Sequence, residues 1–464
     1  MAGQSGAVGP SAPAGQAAPV TTQAVVQADP AGNERASALD TPDRYDAGVA
    51  PPPWQKGGLE RGLARAATTG AKVERAGVET QLGALNALII EGGSAAEKKI
   101  LAQLRAASAV ELNALVGDVS LHALFDVIED HFLGPKNRTA LFHMLARERL
   151  PDLSLGNRAR IVRELQIGRT GSLSEETIRD LFLGTTGREL TQLKNLVDAS
   201  DDYHDLAELI YHDIDSDEIR AAIIRHIGVQ AQSCPSGELK VLSDIDDTFY
   251  TWKDRGFPGK TLYPGVKQFY TELDQGPGEG RLGDLVFITA RPGDRPGIVE
   301  NLTREMLRSH GVRATVLTGD LASNVSNDHI AAKKVENFRE LQQLFPEYSY
   351  VFIGDSGQGD IKASQSMMKE QPAGVPCSFI HDVIDMPPER RAALLQENVF
   401  VFDSYVDAAA EAFRRGLISR EGVARVITGA EGDMARVHFD NEAQRQARQR
   451  ELAEAVARAR QLIQ

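Results

Sequence analysis

The chain has 464 residues, room for two or three domains of ordinary size, and its 42% apolar and 25% charged content is that of a globular polypeptide rather than a fibrous, collagen-like or wholly unfolded one. With 51 Lys and Arg against 65 Asp and Glu, a formal charge of -14, its long-range field repels polyanions, which argues against nucleic acid and gives no help at an anionic membrane surface. No apolar run approaches the roughly 18 residues of a membrane-spanning helix. Cys234 and Cys377 are too few for a disulfide framework and have no metal-spaced partner, and the N-terminus lacks the basic and apolar regions of a secretory signal. A cytoplasmic protein, at most peripheral at membranes, is expected.

Residues 1–58 are rich in Ala, Gly and Pro, with 8 of the 21 prolines before residue 54. Such a stretch has too little apolar surface to offset its ordering entropy, so a disordered tail is expected. From 59 to 230 apolar residues recur at helical spacing, as in Ile100, Leu101, Leu104 and Leu112, Leu115, Val116. This segment repeats itself. Glu111-Leu112 returns as Glu189-Leu190, Leu121-His122-Ala123-Leu124 as Tyr203-His204-Asp205-Leu206, and Arg138 to His143 as Arg220 to Arg225. Two helical units of about 80 residues, stacked on their apolar faces, predict an all-α domain that offers a surface for protein or membrane contact. The repeat length and the Gly184-Thr185-Thr186-Gly187 loop are faintly similar to annexins, yet no acidic residue stands at a calcium-ligand spacing. The histidines of the repeats (His122, His131, His143, His204, His212, His226) read as helix-face or capping residues, not metal ligands.

From 236 to 405 the period changes. Short runs of Val, Ile, Leu and Phe alternate with helical stretches, the mark of βαβ units around a parallel sheet. Strands are expected at 239–243, 284–288, 313–317, 350–354, 376–380 and 398–402. Residues 406–464 return to charged, amphipathic helices with Leu452, Val456, Ala459 and Ile463 along one stripe, which predicts packing on the rest of the protein.

Ligands of an open α/β sheet bind at the carboxyl edge of its strands. The first strand ends there in Ser243-Asp244-Ile245-Asp246-Asp247-Thr248, the second in Thr289-Ala290-Arg291-Pro292, and the fourth in Gly354-Asp355-Ser356-Gly357-Gln358-Gly359-Asp360, with Lys333 and Lys334 on a helix between. Phosphoryl transfer through an aspartyl phosphate requires this kit: a nucleophilic carboxylate, an acid for the leaving oxygen, a divalent cation, and donors to the phosphoryl oxygens. Asp244 fits the nucleophile and Asp246 the general acid and base. Asp244, Asp355 and the Asp246 carbonyl suit Mg2+, with Asp360 in support. Thr289 would donate a hydrogen bond to the phosphoryl group, and one lysine would supply positive charge. Thr248 and Arg291 are candidates to bind substrate, and Arg295, Lys253, Arg255 and Lys260 either bind an anionic headgroup or form a solvated surface.

These motifs resemble the haloacid dehalogenase (HAD) superfamily and, more closely, the catalytic domain of the actin-patch-protein type of phosphatidate phosphatase. The resemblance covers about residues 236–405. It implies a HAD-like Rossmannoid parallel sheet without a large cap, and Mg2+-dependent hydrolysis of phosphatidate to diacylglycerol. In that family the lysine precedes a helix leading to a Phe-Pro turn. Here Lys334-Val335-Glu336-Asn337-Phe338 precedes Phe345-Pro346, which favours Lys334 over Lys333. Phe249-Tyr250-Thr251-Trp252, Gly293-Asp294 and Ile361-Lys362 depart from the family pattern, and these departures bear on the lipid substrate rather than on the phosphatase chemistry.

Only 45 residues separate Asp244 from Thr289, and as many separate Thr289 from Lys334. Neither interval holds a large lid, so a bulky substrate is expected at an open site. Two other functions remain open at this level: a phosphatase for phosphoproteins or other bulky phosphomonoesters, and an interaction module whose HAD domain is weakly active or regulatory.

Overall fold

The computed structural model describes residues 72–464 apart from 169, 200–203, 234–237, 253, 255, 277–284, 293–297, 310–313 and 320–325. The Ala/Gly/Pro-rich stretch 1–58 and Cys234 lie outside the described residues.

The first part is helical. Its helices are α1 (Lys72–Glu91), α2 (Gly93–Ala106), α3 (Ala109–Asp118), α4 (Leu121–Val127), α5 (Asn137–His143), α6 (Leu155–Gln166), α7 (Ser172–Leu183), α8 (Gly187–Asp198), α9 (Leu206–Glu208) and α10 (Asp217–Ser233). Serines start several of them for a local reason: Ser108 accepts the Glu111 N–H while Glu111 reaches back to the Ser108 N–H, a reciprocal cap. Two short π-helical turns, Met144–Glu148 and Leu209–Asp213, interrupt the regular pattern. Arg138 and Arg220, paired by the internal sequence repeat, do the same work: each donates Nε to a carbonyl ten residues upstream, Ile128 at 3.0 Å and Ile210 at 2.9 Å. Among the described residues no metal-ligand cluster includes a histidine. His122 and His143 instead pair with Glu164 and Glu148, and His226 meets the Thr185 carbonyl.

The second part alternates strand and helix: β1 (Leu239–Ser243), α11 (Val266–Gln275), β2 (Leu285–Pro292), α12 (Ile298–Ser309), β3 (Thr315–Gly319), α13 (Asn327–Leu344), β4 (Ser349–Asp355), α14 (Asp360–Glu370), β5 (Cys377–His381), α15 (Pro388–Gln396) and β6 (Val399–Phe402). The strands form one parallel sheet in the order β3-β2-β1-β4-β5-β6. This is the doubly wound order. Its direction of winding reverses between β1 and β4, and the carboxyl edge there forms the crevice in which such sheets bind ligands.

Alternation along each strand splits the apolar residues between two cores. Leu242, Val286, Ile288, Tyr350 and Phe352 face one way, into a core shared with α13, α14 and the apolar faces of the N-terminal helices. Val241, Phe287, Val351 and Ile353 face the other way, into a core closed by α11 and the three C-terminal helices α16 (Tyr405–Arg414), α17 (Arg420–Met434) and α18 (Glu442–Leu462). The C-terminal stripe therefore packs on the sheet domain. Gly265, at φ 85°, shows how closely: a Cβ there would stand 2.9 Å from the Ala430 Cβ. The Glu272 carboxylate takes Nε and Nη2 of Arg425 at 2.7 Å each.

The N-terminal helices are tied to the sheet domain by buried polar bonds as well as by the shared core. Lys194 Nζ lies 2.7 Å from the Leu344 carbonyl and 2.9 Å from Glu347 Oε2, and the Arg304 guanidinium meets Asp205 at 2.7 Å with both groups buried. Among the described residues no helix is long and apolar enough to cross a membrane.

Candidate functional site

β1 and β4 lie side by side, with Ser243 level with Ile353, so the residues that follow them emerge together at the carboxyl edge. Asp244 continues the ladder, donating its N–H to the Ile353 carbonyl at 2.9 Å, and its side chain is buried. Asp355 ends β4, equally buried. Its Oδ1 accepts the N–H groups of Gly357 and Gln358 at 2.7 and 3.0 Å, an Asx turn that fixes the carboxylate. Its Oδ2 and that of Asp244 have no hydrogen-bond partner.

Lys334, on the helix α13, enters this edge fully buried. Its ammonium lies 2.8 Å from Asp244 Oδ1 and 2.5 Å from Asp360 Oδ1. Lys333, one residue earlier, points elsewhere and pairs with Glu336 at 2.9 Å. Asp360, at the start of α14, uses both oxygens: Oδ1 on Lys334 and Oδ2 on the Asp355 N–H at 3.1 Å. This brace depends on a glycine, because a Cβ on Gly354 would stand 2.4 Å from Asp360 Oδ2.

Carboxylate oxygens of Asp244, Asp355 and Asp360 lie within 4.8 Å of one another, with one lysine among them. Burial, with the Asp360 and Asp246 charges, pushes Asp244 up to about 8 against the pull of Lys334. Burial, with the Asp360 and Asp244 charges, holds Asp355 well above the usual carboxylate range. Burial would lower Lys334, but Asp244 and Asp360 more than reverse it and hold the lysine above its ordinary value. Two elevated carboxylates with orphaned oxygens form a site short of positive charge. The donor set is all oxygen, which suits a hard divalent cation.

Asp246 is half-buried, close enough to raise Asp244, and its carboxylate stands outside the three-residue cluster. Thr289 is buried near the carboxyl end of β2, two residues beyond Phe287, which pairs with Ser243. Thr248 is buried with an unpartnered Oγ1. The Arg291 side chain, and Lys253, Arg255 and Arg295, lie outside the described residues. Lys260 sits in a turn at φ 63° with its N–H on the Thr251 carbonyl.

Support for the Asp244–Thr248 loop comes from residues the motifs do not reveal. Asp247 is held at φ 58°, its carboxylate capping the N–H groups of Trp252 and Asp254 at 2.7 and 3.0 Å. The buried imidazole of His381, kept neutral by burial, donates Nδ1–H to the Asp247 carbonyl at 2.9 Å. Tyr405 donates its hydroxyl to the Thr248 carbonyl at 2.5 Å. A histidine closing the apolar strand Cys377-Ser378-Phe379-Ile380-His381 is the signal that could have marked this role.

No curated protein and no solved structure matches the chain. Residues 239–382, less than a third of its length, match the family model described as phosphatidate phosphatase APP1, catalytic domain. The segment that carries the carboxylate cluster is thereby an enzyme domain, a phosphoric monoester hydrolase of the phosphatidate phosphatase kind.

Proposed function

We propose that the protein is a HAD-like, Mg2+-dependent phosphatidate phosphatase that works through an aspartyl-phosphate intermediate. The observation that carries this reading is the pair of buried carboxylates on adjacent strand ends, Asp244 and Asp355, each with an oxygen left unpartnered beside Lys334. Those two oxygens would hold the cation together with the Asp246 carbonyl, and the bound ion would neutralise charge on the phosphoryl oxygens.

Asp244 attacks phosphorus, forming a P–O bond to its carboxylate as the bond to the glycerol oxygen breaks. Asp246 gives its proton to that leaving oxygen, and diacylglycerol departs. The Asp246 carboxylate then takes a proton from water, whose oxygen attacks the same phosphorus; the bond to Asp244 breaks and inorganic phosphate leaves. Lys334 supplies a fixed positive charge to the phosphoryl group and, together with the cation, would draw Asp244 toward its ionised form. Asp360 positions both Lys334 and Asp355, and Thr289 donates to a phosphoryl oxygen. The helical region reads as two copies of one unit that offers a surface for protein or membrane contact.

The test is phosphate release from phosphatidate in mixed micelles, with a soluble aryl phosphate alongside and Asp244→Asn for comparison. Mg2+-dependent release from phosphatidate that falls at least about a thousandfold in the variant supports the reading. Turnover of the aryl phosphate alone would remove the lipid, and equal activity in the variant would remove the nucleophile.

A further inference from the structure

The largest apolar exposure among the described residues lies far along the chain from the carboxylate cluster. Phe132 and Leu133 are 93% and 95% exposed, side by side, and Ile90 is 86% exposed. Isolated surface apolar residues need no explanation, but an adjacent aromatic and aliphatic pair left almost wholly in water does.

The pair occupies the tip of a braced turn. Asp130 and Lys136 form an antiparallel bridge beneath it, and the His131 N–H meets the Pro135 carbonyl at 3.2 Å. Below, buried Glu97 takes His131 Nε2 at 3.2 Å and Asn137 Nδ2 at 2.6 Å. Glu97 lies in α2, directly after the Gly92 junction with α1, and a Cβ on Gly92 would stand 3.6 Å from Val127. The end of α1, with Ile90, is therefore at the same end of the helical region as the tip.

The fold does not demand this apolar tip. In the internal repeat, Phe132-Leu133-Gly134-Pro135 pairs with Ile214-Asp215-Ser216-Asp217. There the isoleucine is buried and the rest of the segment is polar. The second copy, in which a π-helical turn stands where the first has a bridged one, thus keeps its apolar residue inside, whereas the first places two apolar residues outside.

We propose that the Phe132–Leu133 tip inserts into the surface of a lipid bilayer and holds the enzyme where its substrate resides. The proposal rests on the phosphatidate reading, because a substrate with two acyl chains is presented in a membrane. It also answers a charge problem: a protein of net charge -14 is repelled by an anionic bilayer, so apolar insertion must supply the adhesion that electrostatics cannot. An aromatic ring beside an aliphatic side chain suits the interfacial layer. Two such residues on a rigid turn give weak, reversible attachment, as an enzyme moving among lipid molecules needs.

The test is cosedimentation of the full chain with vesicles of phosphatidylcholine, with and without phosphatidate, at low and high salt. Three proteins are compared: wild type, Phe132→Asp/Leu133→Asp, and the control Val229→Asp at another exposed apolar site. The double variant should lose about tenfold or more in vesicle partitioning, while the control binds as wild type does. High salt should leave wild-type binding unchanged or stronger. Phe132→Trp should show a blue shift on vesicle addition beyond that of wild type, a reading that does not depend on the double variant folding. All variants should hydrolyse a soluble aryl phosphate equally. Equal vesicle binding by the double variant, wild-type binding abolished by salt, or no binding by wild type would overturn the proposal. Because phosphatidylcholine alone reports insertion, failure to hydrolyse phosphatidate is read separately and counts against the substrate, not the tip.

Discussion

Two buried lysines lie at opposite ends of β4 and do opposite things. Lys194 meets Glu347 and the Leu344 carbonyl, while Glu347 also accepts the Thr191 hydroxyl at 2.7 Å. Every group there has a partner, and burial lowers Lys194 only to about 8, so its ammonium keeps its charge near neutral pH. Lys334 faces three carboxylates, two of them with unpartnered oxygens and elevated pKa. A matched pair clamps helices to sheet. A mismatched cluster keeps an unmet need for positive charge, and such imbalance marks a site of chemistry rather than of stability.

The comparison can be broken first at the clamp. Lys194→Met leaves Glu347 buried without its cation and should cost about 3 to 5 kcal/mol of stability, read by chemical denaturation. Replacing both partners, Lys194→Met with Glu347→Leu, should recover most of that loss. The folded fraction of either variant should keep the kcat/KM of wild type; a drop would mean that the clamp also shapes the site.

A smaller effect sharpens it at a third carboxylate. Glu451 on α18 is pushed up to about 7 by burial, against Arg448 at 2.9 Å. Its folded pKa exceeds the unfolded one, so its contribution to stability is fully present below about pH 4.5 and is lost as pH rises through about 7. Glu451→Gln should therefore raise Tm by a few degrees at pH 8 and leave it nearly unchanged near pH 4.5. A benefit larger at acid pH would contradict the assignment.

Much of this arrangement is legible in the residues. β1 falls at 239–243 as the apolar run predicts, and the other five strands begin within two residues of their expected starts, because a strand buried on both faces announces itself by continuous Val, Ile, Leu and Phe. The far end of β2 is less legible. It runs on to Pro292, past an irregularity at Ile288, where a proline would ordinarily stop a ladder. The π-helical turns are hidden for a similar reason, since one extra residue per turn scarcely disturbs apolar periodicity.

Within the site, Asp244 and Asp355 can be read from their place at strand ends, and Lys334 from its spacing to Phe345-Pro346. The two-handed grip of Asp360 on Lys334 and on the Asp355 N–H cannot, because it depends on how closely Gly354 lets that carboxylate approach. His381 and Tyr405 are invisible to motif reasoning because they reach the Asp247 and Thr248 carbonyls from 134 and 157 residues away. Only the folded sheet brings them there.

The central claim is that the Asp244–Asp355 cluster is short of one divalent cation. The direct measurement is the Tm of metal-stripped protein titrated with Mg2+, in wild type and in Asp355→Asn, which keeps the Oδ1 that caps Gly357 and Gln358. Binding to the folded state alone should stabilise wild type by about 2.7 kcal/mol at a hundred times Kd, a shift of several degrees, and the variant should show no shift over the same range. An unmoved wild type, or equal shifts in both proteins, would contradict it.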